Sequence, residues 1–258
     1  MRRHRFTAFI LASFASGAIL AAAPAAAADG EVLITQAKAL AGGVTPGDAP
    51  GFPVSISRPG SYKFASNLEV PANKHGIIVN ATEVSIDLNG FRLNGAAVAL
   101  MGIVGFQRSL TIRNGTIRGF KNDGVHVTGA LMIVEDMRIE ENGQRGVAEV
   151  GNASGFARII RSTVFGNGSE GIVCAVSCHA EGNIISRNGF TIGASGIRFA
   201  STSGTALGNT ITSNDYYGIY ADSKIGFGNN TIFDNNAPAQ VVGGLIPLFP
   251  NACSPVAC

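Results

Sequence analysis

The sequence contains no tryptophan, and only 7% of its 258 residues are aromatic and 14% charged. Hydrophobic residues make up 46% of the chain, and a composition this apolar and this weakly charged excludes an intrinsically disordered protein. The four cysteines are too few for a fold that depends on a disulfide scaffold. The sequence therefore predicts a folded domain with a sizeable hydrophobic core.

Residues 1–28 have the composition of a secretory signal peptide. Three arginines lie within the first five residues, the stretch 6–23 is apolar and uncharged, and small residues end at Ala28. This order predicts a signal that is removed after Ala28. The alternative is an uncleaved membrane anchor, because the apolar stretch is nearly long enough to span a bilayer. We expect export to the periplasm or the cell exterior, with no membrane contact after cleavage.

The net charge gives no support to nucleic-acid binding. The chain has 19 basic and 17 acidic residues, but three of the arginines lie in the predicted signal. Without them, 16 basic residues stand against 17 acidic ones, which leaves a net charge of −1. A protein with no basic excess lacks the main energetic contribution to phosphate binding, so we expect no nucleic-acid partner.

The four cysteines, Cys174, Cys178, Cys253 and Cys258, all follow the predicted signal. Four cysteines allow three pairings, and in an exported protein we favour the two local ones. The alternative is a zinc site, since the short spacings also resemble those of metal ligands. We expect disulfides, and neither a metal nor a cofactor.

Glycine is abundant, with 34 residues. It has no period of three, which excludes a collagen triple helix, but it recurs in a longer motif. In segments 139–147 and 164–172, an apolar residue is followed three positions later by asparagine, then by glycine and a second apolar residue. The asparagines recur every 21 to 26 residues and the glycines every 22 to 25. The columns are Gly124, Gly146, Gly171, Gly196 and Gly218; Asn142, Asn167, Asn188, Asn214 and Asn235; and, five residues before asparagine, Ser162, Asn183, Asn209 and Asn230.

A repeat of this length without helical periodicity predicts a β-solenoid. Each repeat contains short runs of β-branched residues separated by glycine and asparagine. Stacking such coils about 4.8 Å apart pairs their strands in parallel and builds one continuous core. Asparagines at equivalent turns then bond to one another along the stack, and we expect the glycines to adopt the positive φ of a tight corner.

Segments 84–91 (VSIDLNGF), 110–117 (LTIRNGTI) and 123–127 (DGVHV) carry a family resemblance. They resemble the right-handed parallel β-helix repeats of the pectate-lyase-like superfamily, particularly its short exported members rich in asparagine and glycine. The resemblance implies an all-β fold, a single-stranded right-handed parallel β-helix of about seven coils with a short N-terminal capping helix. It leaves activity open, because lyases, hydrolases, epimerases, adhesins and inert modules share this fold.

The two ends of such a stack need covers, because they otherwise expose strand edges and core. Residues 31–41, followed by two glycines, predict a short helix that covers the N-terminal end. We therefore divide the chain into a signal peptide at 1–28, an N-terminal cap with lead-in strands at 29–69, the β-helix at 70–244 and a C-terminal cap at 245–258.

Two columns beside the glycines supply candidate site residues. Strand alternation places an apolar column inward, Val125, Val147, Ile172, Ile197 and Ile219, and a second column outward, His126, Ala148, Val173, Arg198 and Tyr220. The residues before the glycines form a third column, Asp123, Arg145, Glu170, Ser195 and Tyr217.

Asp123, His126, Arg145 and Glu170 are the candidate catalytic residues. A carboxylate, an imidazole and a guanidinium are groups that abstract a sugar C5 proton and stabilise the adjoining carboxylate. The alternative is a solvated face of ordinary mixed charges. Elsewhere, His75 lacks a neighbouring ligand set, as does His179, and we expect both to be surface residues.

Arg198, Tyr216, Tyr217 and Tyr220 are the candidate substrate-binding residues. Three of the four tyrosines of the chain lie in this cluster, and their amphipathic rings suit a sugar-binding platform. The alternative is aromatic packing at a turn.

These features predict an exported β-helix protein that contacts a polysaccharide on an outer sheet face. We expect this polysaccharide to be acidic. The contact is either binding alone or processing of the lyase, epimerase or hydrolase type. The alternative is a non-catalytic structural or adhesive module of the cell envelope. The sequence lacks the Asn-Thr-Asp, Asp-Asp and Gly-His-Gly motifs of pectinases and the Asp-Pro-His motif of alginate epimerases, so no motif decides between these functions.

Overall fold

The computed structural model describes residues 30–258 except 107–108, 130, 152–154, 192–193, 201–202 and 256–257. The predicted signal peptide, residues 1–28, lies outside the described residues. Residues Glu31–Cys258 form one unit, and no helix in this described part is long and apolar enough to cross a membrane.

The described part of the chain is built almost entirely of short strands. In chain order the elements are β1 (Val32–Ile34), α1 (Gln36–Ala41), β2 (Val54–Ile56), β3 (Gly60–Phe64), β4 (Leu68–Glu69), β5 (Ile77–Val79), β6 (Val84–Asp87), β7 (Arg92–Asn94), β8 (Ile103–Gly105), β9 (Leu110–Arg118), β10 (Val125–Thr128), β11 (Leu131–Glu140), β12 (Val147–Val150), β13 (Phe156–Ile160), β14 (Thr163–Phe165), β15 (Ile172–Cys174), β16 (Ser177–Glu181), β17 (Ile184–Ser186), β18 (Ile197–Phe199), β19 (Gly204–Leu207), β20 (Thr210–Thr212), β21 (Ile219–Gly228), β22 (Thr231–Phe233), β23 (Val241–Pro247) and β24 (Ala252–Ser254).

These strands wind into a right-handed parallel β-solenoid of about eight turns, which confirms the predicted fold. Three sheets run along the stack. Sheet A contains β1, β3, β6, β9, β11, β13, β16, β19, β21 and β23. Sheet B contains β2, β5, β8, β10, β12, β15, β18, β21 and β23, and sheet C contains β4, β7, β9, β11, β14, β17, β20, β22 and β24.

The N-terminal helix is shorter than the predicted 31–41. Residues Val32–Ile34 form β1, which pairs with β3, and the helix covers only Gln36–Ala41. The side-chain oxygen of Thr35 accepts the Lys38 N–H and caps the first turn. Since β2, β3 and β4 pair with the next coil, the stack of strands is already under way before residue 70.

The predicted inward column on sheet B is in register and buried. Val125 is paired with Val147, and the column continues through Ile172 and Ile197 to Ile219, all with no exposed surface. Each of these side chains removes apolar surface from water, which stabilises the fold by roughly 1.5–3 kcal/mol per residue. A single coil buries none of this surface alone, so stability depends on stacking.

Both predicted polar columns form buried hydrogen-bonded ladders. In the first ladder the Asn188 side-chain oxygen accepts the Asn167 backbone N–H at 3.1 Å and the Asn167 side-chain amide at 2.9 Å. The Asn188 amide in turn donates to the Asn214 side-chain oxygen at 2.9 Å and to the Val164 carbonyl at 3.1 Å. The second ladder repeats this arrangement through Ser162, Asn183, Asn209, Asn230 and Asn251.

The glycine column serves a different purpose from the one expected. None of Gly124, Gly146, Gly171, Gly196 and Gly218 has positive φ, so the prediction of left-handed corners at these glycines is wrong. A Cβ at Gly171 would instead lie 2.7 Å from the Gly196 carbonyl oxygen and 2.9 Å from the Asn188 amide nitrogen. Glycine is required there because the next coil and the ladder asparagine occupy the space of a side chain.

The positive φ values occur one residue before the ladder positions. Glu141, Arg187, Ser213 and Asp234 each precede a ladder asparagine and have φ between 54° and 56°. Non-glycine residues rarely adopt this conformation. The ladder hydrogen bonds compensate for the strain of these corners.

The cysteines pair locally, as favoured from the sequence. Cys174 is bonded to Cys178 and Cys253 to Cys258.

One inward position on sheet B carries a carboxyl group. Glu149 lies in register between Val127 and Cys174 and has no exposed surface. Its Oε1 accepts the Gly129 N–H at 3.3 Å, while its Oε2 is buried with no hydrogen-bond partner among the described residues. Burial raises the pKa of Glu149, and the nearby backbone groups of Gly129, Val176 and Ala175 only partly oppose this effect.

Replacing a ladder asparagine will destabilise the stack strongly. Asn188→Ala removes the acceptor of two Asn167 donors and one of the two donors to the Asn214 oxygen, and leaving a buried donor unsatisfied costs about 1–3 kcal/mol. We expect denaturant unfolding of N188A to show a loss of at least about 2 kcal/mol. Asn80→Ala, at an exposed position, is the control and should change stability by less than about 0.5 kcal/mol. Equal midpoints for the two variants would contradict the structural role of the ladder.

Glu149 will make stability depend on pH. Because its pKa is raised on folding, the folded protein retains a proton that the unfolded chain releases, and stability falls as pH rises from the ordinary pKa of 4.5 through the raised value. Glu149→Gln should lose this dependence and be more stable than the natural chain at neutral pH. Urea unfolding across this pH range measures it, with the exposed Glu83→Gln as control. A natural chain and E149Q with parallel pH profiles would show the assignment to be wrong.

Candidate functional site

Backbone hydrogen bonds align the column that precedes the glycines. The Gly102 N–H donates to the Asp123 carbonyl, Gly124 to Arg145, and Gly146 to Glu170, at 3.0 to 3.2 Å. The same pattern continues from Gly171 to Ser195 and from Gly196 to Tyr217. The five predicted positions therefore lie one above another along the solenoid, one per coil.

The outward column of sheet B runs beside them and is in the predicted register. His126 is paired with Ala148, Ala148 with Val173, Val173 with Arg198, and Arg198 with Tyr220. Ala148 is 0% exposed and Val173 8% exposed, although both point away from the core. Neighbouring side chains therefore cover Ala148 and Val173, which form a recessed apolar strip rather than part of a flat solvated face.

Asp123 anchors one end of this strip and is fully buried. Its Oδ2 lies 2.7 Å from Nδ1 of His126, and its Oδ1 accepts the Arg145 backbone N–H at 3.0 Å and the Arg145 Nε–H at 3.1 Å. A carboxylate held by three groups of the protein cannot reach a ligand. Asp123 is too deeply buried to abstract a proton from a ligand directly, and it lies behind the His126 ring.

His126 is oriented by this contact. Because a carboxylate only accepts hydrogen bonds, the Nδ1 that faces Asp123 carries the proton and Nε2 is the nitrogen left to accept or donate a proton elsewhere. The His126 side chain is 19% exposed and the Arg145 side chain 27% exposed, so both present an edge to solvent while Asp123 does not.

Glu170 and Arg198 connect the two halves of the predicted site. Glu170 accepts a hydrogen bond from Ser169, and its Oε1 lies 3.9 Å from the Arg198 guanidinium. Arg198 also donates to Asp222 at 3.3 Å and lies over the Tyr220 ring at 5.7 Å from the ring centroid. These partly exposed pairs contribute little to stability, so they are free to exchange for a ligand.

The tyrosines form a continuous aromatic surface. Tyr217 stacks on Tyr220 with ring centroids 5.8 Å apart and an angle of 16° between the rings. Tyr216 lies against Tyr217 at 4.1 Å, and their hydroxyl oxygens are 3.3 Å apart. The hydrogen bond that Tyr217 donates to Tyr216 raises the pKa of Tyr217, so the phenol stays neutral. The exposed edge of Tyr216, at 43%, keeps this surface open to solvent.

Two recesses adjoin along the strip. One, of about 440 Å³, is lined by Glu170, Ala194, Ser195, Arg198, Tyr216, Tyr217 and Tyr220. The other, of about 400 Å³, is lined by Gly143, Gln144, Arg145, Ser169, Glu170, Val173, Thr191 and Arg198. Glu170 and Arg198 belong to both, so the recesses form one groove. Asp123 and His126 line neither recess and join the groove through Arg145.

A further recess of about 500 Å³ lies at the C-terminal end of the stack, away from these residues. It is lined by Phe227, Pro247, Leu248, Phe249, Pro250, Asn251, Cys253 and Cys258. No charged side chain is among these described lining residues, so the acid–base chemistry of the predicted residues has no counterpart there.

His75, which the sequence analysis expected to be an ordinary surface residue, lies in the same column as the predicted site residues. It precedes Gly76, whose N–H donates to the Met101 carbonyl, so it belongs to the same column two coils before Asp123. Its Nδ1 is buried with no partner among the described residues. Burial lowers the pKa of His75, and charge on His126 lowers it further. Extending the glycine column back to Gly76 and Gly102 is the sequence signal that would have found it.

Comparison with known proteins places the chain in a family. A family model described as the right-handed beta helix region matches residues 61–237, and the chain belongs to that family. None of the curated proteins matches the sequence.

A solved structure with a similar fold is the A-module of the mannuronan C-5 epimerase AlgE4 of Azotobacter vinelandii. The two chains are 14% identical with a TM-score of 0.45, and the match covers 87% of this chain and 84% of the module. A similarity this distant does not bear on function.

Asp123→Asn will release the His126 ring. If the single amide oxygen goes on accepting from Arg145, the NH2 group faces His126, and this donor is incompatible with a protonated Nδ1, so the buried pair with His126 is broken. We expect a loss of about 3–5 kcal/mol in unfolding free energy. In ¹⁵N spectra, the proton of neutral His126 should move from Nδ1 toward Nε2.

The control is Asp234→Asn, at an exposed position with no ion pair to His126. An unchanged His126 tautomer in D123N would contradict the orienting role of Asp123.

Proposed function

We propose that this protein is an exported β-helix protein that binds an acidic polysaccharide along the groove on sheet B and exchanges protons with it through His126. The observation that carries the proposal is the continuity of the strip, in which two arginines, an oriented histidine and a tyrosine platform line up along one face. The solenoid repeats about every 4.8 Å along that face, a spacing that suits a chain of sugar rings laid along the axis.

The aromatic end of the groove suits the apolar faces of sugar rings. Tyr217 and Tyr220 offer one stacked surface, and Arg198 beside them offers a guanidinium to a sugar carboxylate. The Arg198 contact with Glu170 is long, at 3.9 Å, so a carboxylate ligand can replace it at small cost.

The other end of the groove suits proton transfer. His126 Nε2 is free to exchange a proton, Asp123 fixes the ring, and the Arg145 side chain donates to the same Asp123 carboxylate. Loss of the C5 proton of a uronate places negative charge on the adjoining carboxylate, and a guanidinium stabilises that charge. This chemistry leads to eliminative cleavage or to inversion at C5.

Export is part of the proposal. Two disulfides, Cys174–Cys178 and Cys253–Cys258, are typical of an oxidising compartment. An N-terminal sequence with the order of a signal peptide supports the same location.

A second candidate function is a non-catalytic structural or adhesive module. The observation that favours it is the saturation of Asp123, whose contacts with His126 and Arg145 would equally well stabilise a corner of the solenoid. The two candidates differ in what His126 does, so its substitution separates them.

Binding is tested by affinity electrophoresis in gels containing polygalacturonate, polymannuronate or polyguluronate, with neutral dextran as the control polymer. We expect retardation by at least one uronate polymer and none by dextran. Tyr217→Ala should weaken this binding about 3- to 10-fold, because one stacked aromatic contact contributes about 0.5–1.5 kcal/mol. Tyr62→Phe, which alters a buried tyrosine of sheet A, is the control. Absence of binding to all three polymers would contradict the proposed function.

Eliminative cleavage is tested on the same polymers by the ultraviolet absorbance of the unsaturated product, and C5 inversion by proton NMR of the polymer. His126→Gln should lower the rate at least about 100-fold while binding persists, since it removes the proton-transfer group. Binding by the natural chain without either reaction would favour the adhesive module.

A further inference from the structure

We propose that the C-terminal end of the solenoid is an interface at which two copies of this chain associate end to end across a two-fold axis. The interface is formed by the last coil, which contains β23 and β24, and by the recess of about 500 Å³ beside it. None of the residues that line this recess lines the groove on sheet B, so the interface is independent of the proposed function.

The hydrophobic core is covered at one end of the stack and open at the other. At the N-terminal end, Ile34 and Val54 have no exposed surface, and Ala39 of α1 is buried with them. In contrast, three inward side chains of the last coil are only partly buried: Val241, Leu245 and Cys253. Their partners on the preceding coil are at most 1% exposed: Ile219, Ile225 and Ile232. The last coil therefore leaves the end of the core in contact with solvent.

The strand edges at the N-terminal end are closed by side chains. On β4, the Gln36 side chain donates to the Glu69 carbonyl at 3.3 Å and accepts the Glu69 N–H at 2.9 Å. On β2, the Asp48 carboxylate accepts the Ser55 N–H at 2.7 Å, and the Thr45 hydroxyl donates to the Ser55 carbonyl at 2.6 Å. These side chains occupy the backbone groups that another strand would otherwise pair with.

The strand edges at the C-terminal end are not closed in this way. Among the described residues, β23 pairs only with β21 and β24 only with β22, and no side chain bonds to the backbone of either strand. The second asparagine ladder ends at Asn251, whose amide donates to the Phe249 carbonyl instead of to a further rung. The Cys253–Cys258 disulfide ties Cys258 back to β24. Both strands therefore present an open edge, which is a template for pairing with another chain.

A second copy of this chain suits this surface because the surface carries no charge. Proteins commonly protect an open strand edge with charged side chains, but residues 235–258 contain no acidic or basic residue. Three large apolar side chains there are about half exposed: Ile246 at 47%, Leu248 at 48% and Phe249 at 54%. Two such ends meet without repulsion between like charges, and they remove these side chains from water. A charged partner would find no side chain of opposite sign in this segment.

The closed N-terminal end determines the symmetry of the association. Head-to-tail stacking would place the C-terminal end of one copy on α1 of the next, where the strand edges are already occupied. Two C-terminal ends can instead face each other across a two-fold axis perpendicular to the solenoid. The two last coils then run antiparallel, a direction in which strand edges pair well. Because this contact uses the same surface on both copies, association stops at a dimer.

Sedimentation equilibrium of the purified protein at several concentrations tests the interface. We expect a monomer–dimer equilibrium with no larger species. Phe249→Lys should weaken dimerisation at least about 10-fold, because it places an unpaired charge in an apolar contact, and Leu248→Lys should do the same. The control is Phe156→Lys, at a position on β13 that is 41% exposed, and it should dimerise like the natural chain.

Hydrogen exchange provides a measurement that needs no variant. The backbone amides of β23 should exchange more slowly as the protein concentration rises, whereas those of β1, at the covered end, should not change. A natural chain that remains monomeric up to about 1 mM, with exchange of β23 independent of concentration, would overturn the proposal. Dimers of F249K and L248K as stable as those of the natural chain would also overturn it, as would filaments, because either result places the contact elsewhere.

Discussion

The hydrogen-bonded register between successive coils is the constraint on which the rest of the structure depends. Each ladder asparagine satisfies buried groups on the coils on both sides, as Asn188 does for Asn167 and Asn214. A shift of one coil by one residue would break these bonds and turn the inward apolar column toward solvent. The ladders therefore fix which residues stack, and they allow strained corners such as Glu141 and Arg187.

The groove is a consequence of the same register. Asp123 and Arg145 are 22 residues apart in sequence, yet the stack brings their side chains within 3.1 Å. The recessed strip of Ala148 and Val173 exists because bulkier polar side chains flank the small and β-branched residues at those two coils. The candidate site is therefore assembled from several coils, and each coil supplies one or two side chains.

The sequence predicted the features that repeat and missed those that occur once. Periodicity was sufficient to place Val125 inward, His126 outward and Asn142 in a ladder, because these positions recur with a regular spacing. It could not predict that Asp123 is sealed off or that Glu149 replaces an apolar residue in the core, since both depend on neighbours from two other coils. The role of the glycine column was wrongly predicted because the sequence of one repeat does not indicate that a side chain there would clash with the next coil. His75 was assigned to the ordinary surface because it has no neighbouring ligand set in the sequence and the glycine column was followed only from Gly124 onward.

Hydrogen exchange of the asparagine side-chain amides, followed by NMR in the ¹⁵N-labelled protein, is the most direct measurement of this account. If the ladders hold the coils in register, the amides of Asn167, Asn188 and Asn214 will exchange only when the whole stack unfolds, with protection equal to that of the core backbone amides. Exchange of these three amides as fast as that of the exposed Asn80 would contradict the claim that the ladders hold the coils in register.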